Sequence, residues 1–134
     1  ARIVSVLTSM DNADAPNRGR IRNDRAIAES VIDFLNANLY RKLRMTDISA
    51  AVSFSPSYLQ DVFQTQKHQS VMAYFNGMKI YQAKRYIGEG IYTFTQIAQM
   101  LGFSSVHYFS RVFRQYVKMS PTEYEESVKL TGLL

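Results

Sequence analysis

The sequence predicts an all-α fold in which two copies of a helix–turn–helix arrangement flank a long linking helix. Three observations carry this. Apolar residues fall at helical spacing in each segment from about residue 22 onward. Capping signatures punctuate those segments: Thr93 with Gln96 and Ser120 with Glu123 fit capping boxes, and Pro121 stands at N1, where a missing N–H costs nothing. Residues 45–68 also repeat later in the chain. Ile48-Ser49 pairs with Ile97-Ala98, while Leu59, Val62 and Phe63 pair with Phe109, Val112 and Phe113, the later copy having one extra residue at its turn.

Residues 1–20 show no sustained period, and residues 11–19 are rich in Asp, Asn, Pro and Gly. They read as a linker or as the tail of a preceding domain. Residues 21–134 then form the main domain. A helix is expected over 22–40, with Ile27, Val31, Phe34, Leu35 and Leu39 on one stripe and Asp24, Glu29, Asp33 and Asn36 mostly off it. Arg41, Lys42 and Arg44 crowd its end, where cations favour the helix dipole. The first unit spans about 22–68. Ser55-Pro56 supplies the N-cap and N1 of its second helix, and Ser57, Gln60, Asp61 and Gln64 fall on the outer face.

The linking helix is expected over about 70–88, capped by Ser70. Val71, Phe75, Met78, Ala83, Tyr86 and Ile87 form its apolar side, and Lys79, Lys84 and Arg85 are read as polar-face charges. Gly77 weakens a helix by about 1 kcal/mol relative to alanine and so marks close packing. Gly88-Glu89-Gly90 ends the helix. The second unit spans about 91–126. Ile97, Ala98 and Leu101 make one apolar face, and Gly102 supplies a left-handed stop. Ser104 or Ser105 caps the next helix. Its apolar residues are Val106, Phe109, Val112, Phe113 and Tyr116, opposite His107, Ser110, Arg111 and Arg114. Two short helices joined by a glycine turn, the second with a polar and basic outer face, suit a DNA-reading helix–turn–helix.

Charge distribution points the same way. Of a net +5, residues 41–118 carry ten basic and three acidic side chains, whereas residues 1–40 are balanced and 119–134 are net acidic. Such an excess is either a soluble basic surface or a footprint for a polyanion. The chain has no cysteine, which removes disulfides, zinc fingers and thiol catalysis. Its two histidines, His68 and His107, have no ligand or base–nucleophile spacing, so an enzyme is not expected. Apolar runs are far shorter than the roughly 20 residues a bilayer needs, and no signal-peptide pattern is seen, so the default expectation is cytoplasmic.

The residues Ile97-Ala98, Gly102-Phe103, Tyr108-Phe109-Ser110-Arg111-Val112-Phe113 and Pro121 to Tyr124 resemble the C-terminal DNA-binding domain of AraC/XylS-type transcription regulators. Ser55, Tyr58-Leu59 and Phe63 match the first unit's pattern, as Lys79-Ile80 and Ala83 match the linker's. The resemblance covers about residues 22–126. It implies about seven helices, a bacterial transcription regulator, no cofactor, RNA polymerase as a further partner, and an effector or dimerisation domain outside this chain. This sequence departs from the pattern at His68 and Lys118, where glycine is usual, at Ser49 for alanine, and at Glu125 for arginine.

Reading by two helices in successive major-groove segments requires them about 34 Å apart on one face of the duplex. The base-reading candidates are Ser57, Gln60, His107, Ser110 and Arg111. Arg111 suits guanine O6 and N7, and Gln60 suits adenine N6 and N7. Asp61, which corresponds to Arg111, either accepts from cytosine N4 or forms a structural salt bridge. The first unit is therefore expected to discriminate less. The phosphate candidates are Arg41, Lys67, Lys79, Arg114 and Lys118, with Ser55 and Ser105 at helix N-termini. Arg18, Arg20, Arg22 and Arg25 are either a DNA-touching arm or a solvated stretch. A helical protein-interaction domain without DNA specificity is the alternative.

Overall fold

The computed structural model describes residues 15–132, and side chains from residue 23 onward. The described residues form seven α-helices and no strand: α1 Ala15–Ala37, α2 Met45–Val52, α3 Pro56–Lys67, α4 Val71–Glu89, α5 Phe94–Met100, α6 Val106–Val117 and α7 Pro121–Leu130. Two compact units divide them. The first holds α1, α2, α3 and the opening residues of α4. The second holds Leu39–Lys42 and Tyr74–Leu134. Residues 1–14, where part of the linker expectation falls, lie outside the described residues, as do the side chains of Arg18, Arg20 and Arg22.

In the first unit α1 packs on α2 and α3, and α2 packs on α3. Ile27, Val31 and Leu35 of the expected stripe are fully buried, and Phe34 and Leu39 are half-buried. Ile48 enters this core from α2, and Leu59, Val62 and Phe63 enter it from α3. Helix α1 begins seven residues before the expected start. Pro16 falls in its first turn, where no N–H is needed. Its end comes three residues early, because the Asn38 side-chain amide donates to Phe34 O at 2.8 Å and closes the last turn. Beyond it, the Leu39 and Arg41 carbonyls are taken by Lys79.

The second unit has one apolar core: Ile80, Ala83 and Ile87 from α4, Ile97, Ala98 and Leu101 from the α5 region, and Phe109, Val112 and Phe113 from α6. A chain of rings runs through it. The centroid distances are 5.3 Å from Phe103 to Phe109, 5.8 Å from Phe109 to Phe113 and 5.7 Å from Phe113 to Tyr124. Each fully buried large side chain contributes roughly 1.5–3 kcal/mol relative to exposure. Gly77 permits the Tyr116 ring to lie against α4: an added Cβ would sit 3.4 Å from that ring.

Lys79 overturns its reading as a surface cation and phosphate contact. It is 3% exposed. Its ammonium donates to Leu39 O at 2.6 Å, to Arg41 O at 2.9 Å and to Leu101 O, with the Phe75 ring centroid 4.4 Å away. Burial lowers its pKa to about 8, while three carbonyl acceptors favour the charged form. The helical pattern accounts for the position. Phe75, Lys79 and Ala83 are four residues apart, so Lys79 sits on the buried stripe.

Tyr40, Tyr81 and Tyr92 are all exposed. The Tyr40 hydroxyl lies 3.0 Å from that of Tyr86, a contact that raises the Tyr40 pKa. Tyr92 meets the Tyr86 ring edge-on at 5.6 Å.

Candidate nucleic-acid interface

In the second unit, a chain of local hydrogen bonds sets the direction of α6. Thr93 Oγ1 accepts from Gln96 N at 3.1 Å, and Thr93 N donates to Gln96 Oε1 at 2.8 Å, so the expected capping box starts α5. At its end Phe103 N donates to Ala98 O and Gly102 N to Gln99 O, the paired bonds of a Schellman stop. Gly102 has φ +76°, and an added Cβ would lie 2.9 Å from the Arg41 carbonyl carbon and 3.0 Å from Lys42 N. Both the backbone conformation and the space therefore require glycine. Ser105, with extended backbone, then caps α6 by accepting from Tyr108 N at 3.0 Å.

Helix α6 is firmly amphipathic. Phe109, Val112 and Phe113 are buried, while His107, Arg111 and Arg114 are exposed at positions i, i+4 and i+7. The Arg111 guanidinium lies 5.9 Å from the centroid of the Tyr108 ring. Arg114 reaches Glu123 Oε1 at 3.4 Å, an exposed pair that contributes little to stability. Ser110 is half-buried, at the edge of the outward stripe rather than on it. Lys118 ends the helix at φ 68° and donates from Nζ to Gln115 O.

The first unit repeats this geometry with different side chains. Ser53 takes the left-handed position at φ 66°, without the help of glycine. The Ser49 hydroxyl donates to Phe54 O across the same turn, which gives the serine a role that the alanine usual in the family cannot fill. Ser55 caps α3 by accepting from Tyr58 N at 3.2 Å, and His68 closes it at φ 60°. Leu59, Val62 and Phe63 face inward, and Ser57, Asp61 and Gln64 face outward. Tyr58 and Tyr108, at matching places in the two helices, are 39% and 38% exposed. Each packs on the phenylalanine of its own turn, Phe54 at 5.3 Å and Phe103 at 6.0 Å. That duplicated pair was readable from the repeat.

Gln60 departs from its expected role. It is half-buried, and its Oε1 accepts from Val71 N at 3.1 Å, capping the start of α4 beside Ser70, which accepts from Ala73 N. Bidentate reading of adenine needs both ends of the amide, and here the acceptor end is engaged. Asp61 also departs from the salt-bridge reading: among the described residues no ion pair involves it. Of the phosphate candidates, Arg41, Arg114 and Lys118 are exposed, Lys67 is half-buried and Lys79 is buried.

The arrangement thus offers two similarly built helices with exposed polar faces. The α6 face carries two arginines and a histidine; that of α3 carries a single carboxylate and no cation. Among the described residues no cluster of His, Cys, Asp and Glu could hold a metal ion, and no helix is long and apolar enough to cross a membrane.

A family model described as a helix-turn-helix domain matches residues 48–127. The regulatory protein PocR of Salmonella typhimurium is 27% identical over 116 residues, which is 87% of this chain and 38% of PocR. The chain thus spans well under half the length of that relative. A solved transcriptional regulator from Chromobacterium violaceum, described as AraC-type DNA-binding domain-containing, superposes with a TM-score of 0.71 at 21% identity, covering 78% of this chain and 93% of that one. The DNA-binding domain of AdpA, solved in complex with a target DNA, superposes at 0.72 and 17%, covering 78% and 94%. The last two likenesses show a shared fold. With the family model matching more than half of its residues, and with the capped turns and duplicated helices in place, the chain belongs to the AraC/XylS-type helix-turn-helix family of DNA-binding domains.

Proposed function

We propose that this chain is the sequence-specific double-stranded DNA-binding domain of a bacterial transcription regulator, and that α3 and α6 enter successive major-groove segments. One observation carries the reading: α6 holds His107, Arg111 and Arg114 outward on a helix whose other face is locked by Phe109, Val112 and Phe113. Arg111 reads guanine, a bidentate contact worth roughly 1–3 kcal/mol of discrimination. His107 and Ser57 contact neighbouring base edges, and Ser110 lies at the margin of that surface. Arg41, Lys67, Arg114 and Lys118 hold phosphates and fix register. The N-termini of α3 and α6, capped by Ser55 and Ser105, direct further backbone N–H groups at the phosphate chain.

The domain has no enzymatic activity and acts in the cytoplasm. It works beside an effector or dimerisation domain and contacts RNA polymerase. These statements rest on the family and on the greater length of its relatives. The rival reading, a helical protein-interaction domain, lacks a need for the basic face of α6. Binding of duplex DNA across a salt series separates the two. Four phosphate cations imply a slope of log K on log salt of roughly −3.6, about a hundredfold loss between 50 and 200 mM. An adaptor would show neither DNA retention nor this slope.

A further inference from the structure

We propose that Asp61 is a specificity-determining residue that accepts a hydrogen bond from cytosine N4 and so selects a C·G pair in the segment read by α3. The assignment rests on the DNA-binding reading above and adds the chemistry of one base to it. Its position comes from the repeat. Asp61 stands where Arg111 stands in α6, six residues after an N-cap serine that takes the equivalent tyrosine N–H in each copy. Like Arg111, it is exposed, and it shares the outward stripe with Ser57 and Gln64.

Within the described residues nothing occupies its carboxylate. Thr65 bonds its backbone carbonyl only, and no ion pair involves its side chain. Among the described residues the charge therefore has no structural role. A bare carboxylate on a DNA-facing helix is repelled by phosphate, so its presence needs a gain elsewhere.

Base chemistry supplies one. An ionised carboxylate only accepts. In the major groove the sole donors are the amino groups of cytosine N4 and adenine N6, while guanine presents N7 and O6 and thymine presents O4 and a methyl group. Guanine and thymine would set acceptor against acceptor. Adenine offers its donor beside the N7 acceptor, which repels the second carboxylate oxygen. Cytosine N4 has no such neighbour on its own ring edge. The two units thereby read with opposite polarity, a donor on α6 for guanine and an acceptor on α3 for cytosine.

The test is selection of bound duplexes from a random pool by the wild-type chain, by Asp61→Asn and by Arg111→Ala. The wild type is expected to enrich a motif with a fixed cytosine in one segment. Asp61→Asn should replace that cytosine with adenine, whose N6 and N7 an amide reads bidentately, and leave the other segment unchanged. Arg111→Ala should lose only a guanine in the other segment. In direct titration, changing the cytosine should weaken wild-type binding by roughly fivefold or more, the lower end of what one mismatched base pair costs, whereas Asp61→Asn should bind an unrelated duplex more tightly than wild type does. A motif identical for wild type and Asp61→Asn overturns the assignment alone. A pool from which the wild type enriches nothing overturns both the assignment and the reading beneath it.

Discussion

Lys79 shows how much one side chain decides here. A single ammonium satisfies three backbone carbonyls: two part-buried ones in the segment after α1 and a buried one at the end of α5. Lys79→Met keeps the volume but removes all three donors. Leaving a buried acceptor unpaired costs about 1–3 kcal/mol, and the Leu101 carbonyl is the buried one, so urea denaturation should show a loss of about 1–3 kcal/mol. Glu123 acts at the start of α7, where its carboxylate accepts from Ser120 N at 2.8 Å. That backbone bond, then the Ser120 hydroxyl, lowers its pKa. A lowered folded-state value means that its contribution is present at neutral pH and is lost as pH falls through that value. Glu123→Gln should therefore flatten the acid limb of the stability curve, measured by thermal unfolding from pH 7 to pH 3: the variant should be less stable than wild type at pH 7 and converge with it towards pH 3.

At the scale of elements, the turn of the second unit is the tightest constraint. Gly102→Ala forces a side chain into the left-handed region and against the Arg41 and Lys42 backbone. Left-handed strain alone costs of order 1–3 kcal/mol. Thermal unfolding should show that loss, whereas Ser53→Gly, at the matching left-handed place in the first unit, should be neutral or stabilising. Caps and periods were what the sequence revealed best. The Thr93 and Ser120 boxes, the Ser55 and Ser105 caps, the Gly77 contact and the inward faces of α3 and α6 all follow from local rules. Lys79 and Gln60 did not, because charge and amide chemistry argued for the surface while tertiary neighbours supplied better partners inside. Lys79 was nonetheless legible from its place between Phe75 and Ala83. Gln60 needed the start of α4, eleven residues away, to be folded beside it.

For the whole molecule, duplication is the organising fact. The chain builds the same cap, the same tyrosine–phenylalanine pair and the same left-handed stop twice, and carries different outward residues on each copy. Construction is thereby separated from recognition: a scaffold that folds by local rules can carry different letters on each reading helix. Base reading by Arg111 is tested by titration of the selected duplex, and of the same duplex with one base pair changed at a time, by wild type and by Arg111→Ala. Arg111→Ala should lose roughly five- to 150-fold of discrimination at one guanine position and keep its preferences elsewhere. A uniform loss across every duplex, with discrimination intact, would contradict base reading and reduce Arg111 to a phosphate contact.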